Sequence, residues 1–247
     1  MRQSLDTRAV FFRWWIALLM LAAVYLASAI PVRARSPEEG PNVYSARVLL
    51  RGGQDPARPV GGVSAAEGWL RLDVDLGEPG VFHVILRPDR NVLYVVSDNL
   101  EAYVSVPLRE GGHGLDDLAE DLAASVMPFG VPVLSLHVDR GENLGEAVWQ
   151  GYAARRTEVR FTAEFMGNAA GLDAVLWENP AFAPLPLRVE ELQRDKDGAV
   201  RTGDVVELAD IVPAVFSEPE RAALFEPPSG FTRYASILDL LLYALAV

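Results

Sequence analysis

The stretch WLRLDVDLGEPGVFHVILRPDRNVLYVVSDNLEAYVSVPL, residues 69–108, decides the fold of this chain. Apolar and polar side chains alternate along it with a period of two, which is typical of β-strands with one buried face. Turn-forming residues interrupt the alternation at Pro88-Asp89-Arg90-Asn91 and at Asp98-Asn99. The stretch therefore predicts four short strands of a one-sided antiparallel sheet. Its apolar face has to be covered, and what covers it is the functional question.

Strand patterns continue on both sides of this stretch. The first strand is expected at Tyr44–Arg51, and the clearest later alternation lies in Glu158–Phe165. Gly52–Ala66 is rich in glycine and proline and is predicted to be a loop. Asp197-Gly198 is the strongest hairpin-turn signal in the chain. Further strands are predicted at residues 134–138, Ala147–Ala154, Ala174–Glu178, Leu187–Gln193 and Val200–Leu208.

Two segments have helical character. Leu115–Met127 places Leu118 and Leu122 on one apolar stripe, and we expect this helix to lie as a lid over the apolar sheet face. A short helix is expected near Ser217, with Pro219 in its first turn. Many strands with few helices favour an α+β arrangement over alternating βαβ units.

The first 34 residues have the layout of an export signal. Three arginines precede the apolar run Trp14–Ile30, and small residues follow it up to Ala34. This pattern predicts cleavage after Ala34 or Ala29. The run is longer than most signal cores, so an uncleaved membrane anchor is the alternative. Both interpretations place the rest of the chain in the periplasm, behind a tether over residues 35–43.

The exported part is strongly acidic. Residues 1–34 hold four of the 22 basic residues and one of the 34 acidic residues, so 18 bases and 33 acids remain, a net charge of −15. Such a surface repels phosphate backbones, which argues against nucleic acid as a partner. The chain has no cysteine, which excludes disulfides, thiolate sites and the acylated cysteine of a lipid anchor.

The segment Ser236–Val247 is apolar except for Ser236 and Asp239 and is too short to span a bilayer. Two interpretations are open. The segment is either a helix folded back onto its own domain, or an exposed helix that docks onto a membrane surface or an envelope protein.

No motif for catalysis, cofactor binding or metal binding is present. The only histidines are His83, His113 and His137, and their spacing puts no two on one helical turn. His83 and His137 fall on predicted strands and are interpreted as half-buried structural residues. The chain has no nucleophile elbow and no phosphate-binding glycine loop. We therefore expect a protein that is not an enzyme and needs no cofactor or metal.

Nine short segments of the exported part occur in a particular order. They are Tyr44-Ser45-Ala46, Gly68–Val74, Val84–Asp89 with Val92–Val96, Tyr103–Leu108, Gly145–Gly151, Val175–Glu178, Pro186–Glu190 and Leu224–Phe231. Their order and spacing resemble the superfamily of periplasmic outer-membrane lipoprotein carriers, over roughly Tyr44–Tyr234. The resemblance is to an uncharacterised branch. It implies an incomplete antiparallel barrel around an apolar cavity that handles acyl chains without covalent chemistry.

The predicted fold is α+β, with a long antiparallel sheet curved into a half-barrel over residues 44–234 and covered by one or two helices. The predicted function is binding of a hydrophobic ligand, a lipid or a lipidated protein, between the sheet and the helix. The candidate lining residues are Leu70, Leu72, Val74, Phe82, Val84, Leu86, Val104, Leu118, Leu122, Val159, Phe161 and Phe165. The same residues would form an ordinary core if no cavity exists. The alternative function is a membrane-tethered envelope interaction subunit with a vestigial cavity, whose residues 235–247 dock onto a partner.

Overall fold

The computed structural model describes residues 41, 43–53, 55–75, 80–108, 134–165, 168–182, 185–195, 197–236, 239–240 and 243. The predicted export segment, most of the tether and the predicted helix Leu115–Met127, with Leu118 and Leu122, lie outside these residues. The side chain of Phe165 also lies outside the described part.

Twelve strands form a single sheet. They are β1 Val43–Arg51, β2 Arg58–Ala66, β3 Trp69–Asp75, β4 Val81–Arg87, β5 Val92–Ser97, β6 Ala102–Pro107, β7 Leu134–Trp149, β8 Tyr152–Phe165, β9 Asn168–Glu178, β10 Arg188–Arg194, β11 Val200–Pro213 and β12 Thr232–Tyr234. Their spatial order is β12-β6-β5-β4-β3-β2-β1-β11-β10-β9-β8-β7. All neighbours are antiparallel except β12, which pairs parallel with β6. The long, mainly antiparallel sheet is confirmed, and among the described strands it is open, with β7 and β12 at its edges.

Two turns lie where local residues predicted them. Residues 88–90 form a 3₁₀ turn that ends at Asn91 in the left-handed conformation, as expected of an asparagine. The Asp197-Gly198 turn connects β10 to β11, with the Asp195 N–H donating to the Ala199 carbonyl at 3.0 Å. Helix α1, Glu218–Phe225, begins after Ser217, where Ser217 and Glu220 form a capping box.

The predicted loop at Gly52–Ala66 is wrong, because most of it is strand β2. β2 lies between β1 and β3 and pairs with both. Gly61 allows a close approach of the backbones, since a Cβ there would overlap the carbonyl oxygen of Asp73. Pairing on both sides thus outweighs the weak strand propensity of glycine and proline.

The predicted continuous strand Ala147–Ala154 is also wrong. A tight turn at Gln150-Gly151 divides it and joins β7 to β8, with Trp149 opposite Tyr152. Both turn residues have positive φ, 48° and 85°, which suits the right-handed twist of a long hairpin.

The sheet is not one-sided around β4. We call the face that carries Leu70 and Leu72 the apolar face, and the opposite one the helix face. On the helix face of β4, His83, Ile85 and Arg87 are all buried. Helix α1 covers this face through Phe225, whose ring contacts that of Trp69 at 5.7 Å between centroids.

Candidate functional site

Seven of the predicted lining residues lie together on the apolar face. The register places Leu70 opposite Leu86, Leu72 opposite Val84 and Val74 opposite Phe82. Val104 on β6 continues the Val84 row through Val95 of β5. All seven belong to one hydrophobic cluster and none is more than 7% exposed. Strand pairing thus brings the residues that side-chain alternation predicted on β3, β4 and β6 into one patch.

Val159 and Phe161 lie on the same face but in a separate cluster. The row Leu50, Val206, Val189, Leu176 and Thr157 connects β1 to β8 across one face of the sheet. Val159 and Phe161 pack there with Ala174 and Leu176. They are six strands from β3, about 29 Å along the sheet at roughly 4.8 Å per strand.

Three aromatic side chains in contact connect strand β1 with strand β8. The ring of Phe182, in the 3₁₀ turn Pro180–Phe182 after β9, meets Tyr44 at 5.2 Å and Tyr152 at 4.7 Å in edge-to-face geometry. The Tyr44 hydroxyl donates to the Phe182 carbonyl at 3.4 Å. Burial raises the pKa of Tyr44 far above its ordinary value, so this hydroxyl stays a donor.

The described part of the apolar tail contacts the same core. Leu240 is fully buried in the cluster that holds seven of the predicted lining residues. Ser236 begins a helical turn, with its Oγ accepting from the Asp239 N–H at 3.0 Å. Tyr243 stacks on Tyr234 at 5.6 Å between centroids. At Leu240 the tail is therefore part of the domain, while its remaining residues lie outside the described part.

The helix face carries a partly buried polar network that the sequence analysis missed. His83 Nε2 lies 2.7 Å from Asp98 Oδ2, and His83 Nδ1 lies 2.6 Å from Asp73 Oδ1. Arg71 adds two contacts, Nε to Asp73 at 2.6 Å and Nη2 to His83 Nδ1 at 2.8 Å. The prediction of a half-buried His83 understated its burial, because this side chain is only 7% exposed.

The protonation of His83 decides which of these contacts forms. A protonated Nδ1 donates to Asp73, whereas an unprotonated Nδ1 accepts from Arg71. Burial acts to lower the pKa of His83, but hydrogen bonds to Asp73 and Asp98 outweigh it and raise the pKa above 6.5. Burial acts to raise the pKa of Asp73, but His83 and Arg71 bring it below its ordinary value. The network therefore favours an imidazolium between two carboxylates.

Two arginines of the sheet hold the carboxyl end of α1. Arg71 Nη1 donates to the Leu224 carbonyl at 3.1 Å, and Arg87 Nη1 to the Phe225 carbonyl at 3.4 Å. Arg87 also forms a bidentate pair with Asp89 and lies 3.8 Å above the Trp69 ring. Cations at a helix carboxyl end complement its dipole and its unpaired carbonyls. This network positions a structural helix, and among the described residues no cluster of acids and histidines is arranged to hold a metal ion.

A groove of about 380 Å³ lies along β7–β10. Its charged walls alternate in sign: Arg160 and Arg194 both approach Asp173, at 3.5 and 3.8 Å. These three charges pair across the strands. Nothing in its geometry indicates a specific site.

Comparison with known proteins adds no family. No protein-family model matches the chain, and no curated protein matches it. Within the described part, no helix has the length and hydropathy needed to cross a bilayer.

Proposed function

We propose that this chain is an exported, non-catalytic protein of the periplasm that binds a hydrophobic ligand, a lipid or a lipidated protein, on the apolar face of its sheet. In this proposal the sheet bends into a half-barrel, as the resemblance to lipoprotein carriers implies. The observation that carries the proposal is that seven predicted lining side chains, from Leu70 to Val104, belong to one hydrophobic cluster. Each methylene that leaves water for such a surface contributes about 0.8 kcal/mol.

Binding has an energetic requirement. Leu72 and its neighbours in the patch are already buried, so a ligand has to displace packed chain to reach them. Affinity is then the apolar gain minus the cost of that opening.

The experiment is native mass spectrometry of the protein isolated from the soluble and membrane fractions of its host, before and after organic extraction. A mature mass that begins after Ala34 or Ala29, with an extractable apolar adduct, supports the proposal. In a second arm, dodecanoate and methyl dodecanoate are added separately to the delipidated protein. At 100 times its dissociation constant, a ligand stabilises the folded state by about 2.7 kcal/mol, which a thermal melt detects. If the isolated protein carries no extractable adduct and added ligand does not shift the melting temperature, ligand binding is refuted.

The second candidate is a membrane-tethered interaction subunit with a vestigial cavity. The full burial of the lining residues favours it, since an ordinary core looks the same. In this case the mass measurement yields a full-length, membrane-bound and ligand-free species, anchored by Trp14–Ile30.

A further inference from the structure

A buried polar atom without a hydrogen-bond partner lies on the apolar face. Ser97, at the end of β5, is fully buried, and its Oγ has no hydrogen-bond partner. The register places it between Phe82 of β4 and Ala102 of β6, so its side chain lies on the apolar face. A buried hydroxyl without a partner costs stability, and most such groups in folded proteins are satisfied.

The other hydroxyl on this face of β1–β6 is satisfied. Tyr44 donates to the Phe182 carbonyl. Ser97 is therefore the one unsatisfied side-chain hydroxyl among the described residues of this half of the face. A molecule bound on the face would meet a single free hydrogen-bonding group there.

The position of Ser97 also predicts the orientation of a ligand on this face. From Ser97 a row of opposed residues crosses the sheet through Phe82, Val74, Gly61 and Val48. It covers about 19 Å, at roughly 4.8 Å per strand. Apart from Ser97, every side chain in the row is apolar or absent. A ligand that follows this row has its polar end at Ser97 and its apolar part toward β1.

We propose that Ser97 anchors the polar end of the ligand and that the ligand is an ester-linked acyl chain, with its ester carbonyl accepting from Ser97 Oγ–H. This inference rests on the proposed function. An uncharged oxygen is favoured over an ionised carboxylate, because Phe82 and Ala102 offer the charge no compensation and burial of an unpaired charge is far more costly.

The test compares the wild type with Ser97→Ala by displacement of the fluorescent probe N-phenyl-1-naphthylamine. Three competitors are used: methyl dodecanoate, dodecanoate and dodecane. We expect Ser97→Ala to weaken the binding of methyl dodecanoate about tenfold, which is the effect of one hydrogen bond, and to leave the binding of dodecane unchanged. The ligand-free variant should melt at a higher temperature, because it loses an unsatisfied hydroxyl. Ser105→Ala, on the opposite face of β6, is the matched control and should change neither quantity.

Each outcome has a distinct meaning. If the wild type and Ser97→Ala bind methyl dodecanoate with equal affinity, Ser97 is not the anchor. The same conclusion follows if the variant loses as much affinity for dodecane as for methyl dodecanoate, because the loss would then come from altered packing and not from a hydrogen bond. A preference of the wild type for dodecanoate over its methyl ester refutes the neutral ester. If the wild type binds the probe but none of the competitors, the ligand class is wrong. If it binds no probe at all, the proposed function itself fails.

Discussion

Replacement of Phe225 by alanine tests whether α1 is an integral part of the core. The Phe225 side chain is fully buried, and its ring contacts Trp69 at 5.7 Å and Phe216 at 6.1 Å between centroids. Phe→Ala substitutions at such sites cost about 3–5 kcal/mol, from lost transfer free energy and the remaining cavity. For a domain of this size, each kcal/mol lowers Tm by roughly 2–4 °C. We therefore expect Phe225→Ala to lower Tm by about 10 °C.

The assays are thermal unfolding, which gives Tm, and urea unfolding, which gives the free energy, each followed by tryptophan fluorescence and by circular dichroism. Val215→Ala is the control, because Val215 lies near the start of the same helix and is 96% exposed; its effect should stay within about 0.5 kcal/mol. A loss below about 1 kcal/mol in Phe225→Ala would refute the conclusion that α1 closes the helix face. Because Phe225 lies on that face, stabilisation by an added apolar ligand should persist in the variant.

Two further predictions concern the polar network and strand β2. Because the folded-state pKa of His83 is raised above 6.5, its contribution to stability is complete below that pH and disappears as the pH rises through the folded-state value. The free-energy difference between wild type and His83→Gln in urea unfolding should therefore shrink between pH 6 and pH 9, and a difference independent of pH would contradict this account. Gly61→Ala should cost about 1–3 kcal/mol, because its Cβ overlaps a neighbouring carbonyl, while Gly62→Ala, whose Cβ meets only ordinary contacts, is the control. If the two glycine variants lose the same free energy of unfolding in this assay, the close approach of β2 and β3 does not explain the cost of Gly61→Ala.

The sequence was a reliable guide wherever an element depends on its own residues. The alternation in Trp69–Asp75 is enough to predict β3 and its two faces, because strand side chains alternate whatever their neighbours are. Ser217 and Pro219 predicted the start of α1, since capping is satisfied within one turn. The alternation that puts Phe82, Val84 and Leu86 on one face of β4 was predicted in the same way, and all three are buried.

The sequence was a poor guide where distant segments meet. Glycines and prolines predicted a loop for β2, yet two flanking strands supply its hydrogen bonds. His83 became part of a network through Asp98, which lies 15 residues away, and Arg71 reaches Leu224 across 153 residues. No local pattern reports such contacts. An arginine and an aspartate on the polar face of a strand otherwise indicate only solvent exposure.

The amino-acid sequence by itself determined that this protein forms a long, mainly antiparallel sheet whose strands alternate apolar and polar side chains. That property follows from side-chain alternation and local turns. Only the tertiary structure decided that β1 pairs with β11, which separates Val159 from Leu72, and that α1 covers the second face of β4. It also decided that Ser97 is, among the described residues of β1–β6, a buried hydroxyl without a partner. These features depend on contacts between residues far apart in the chain, whose energy is realised only when the sheet has assembled.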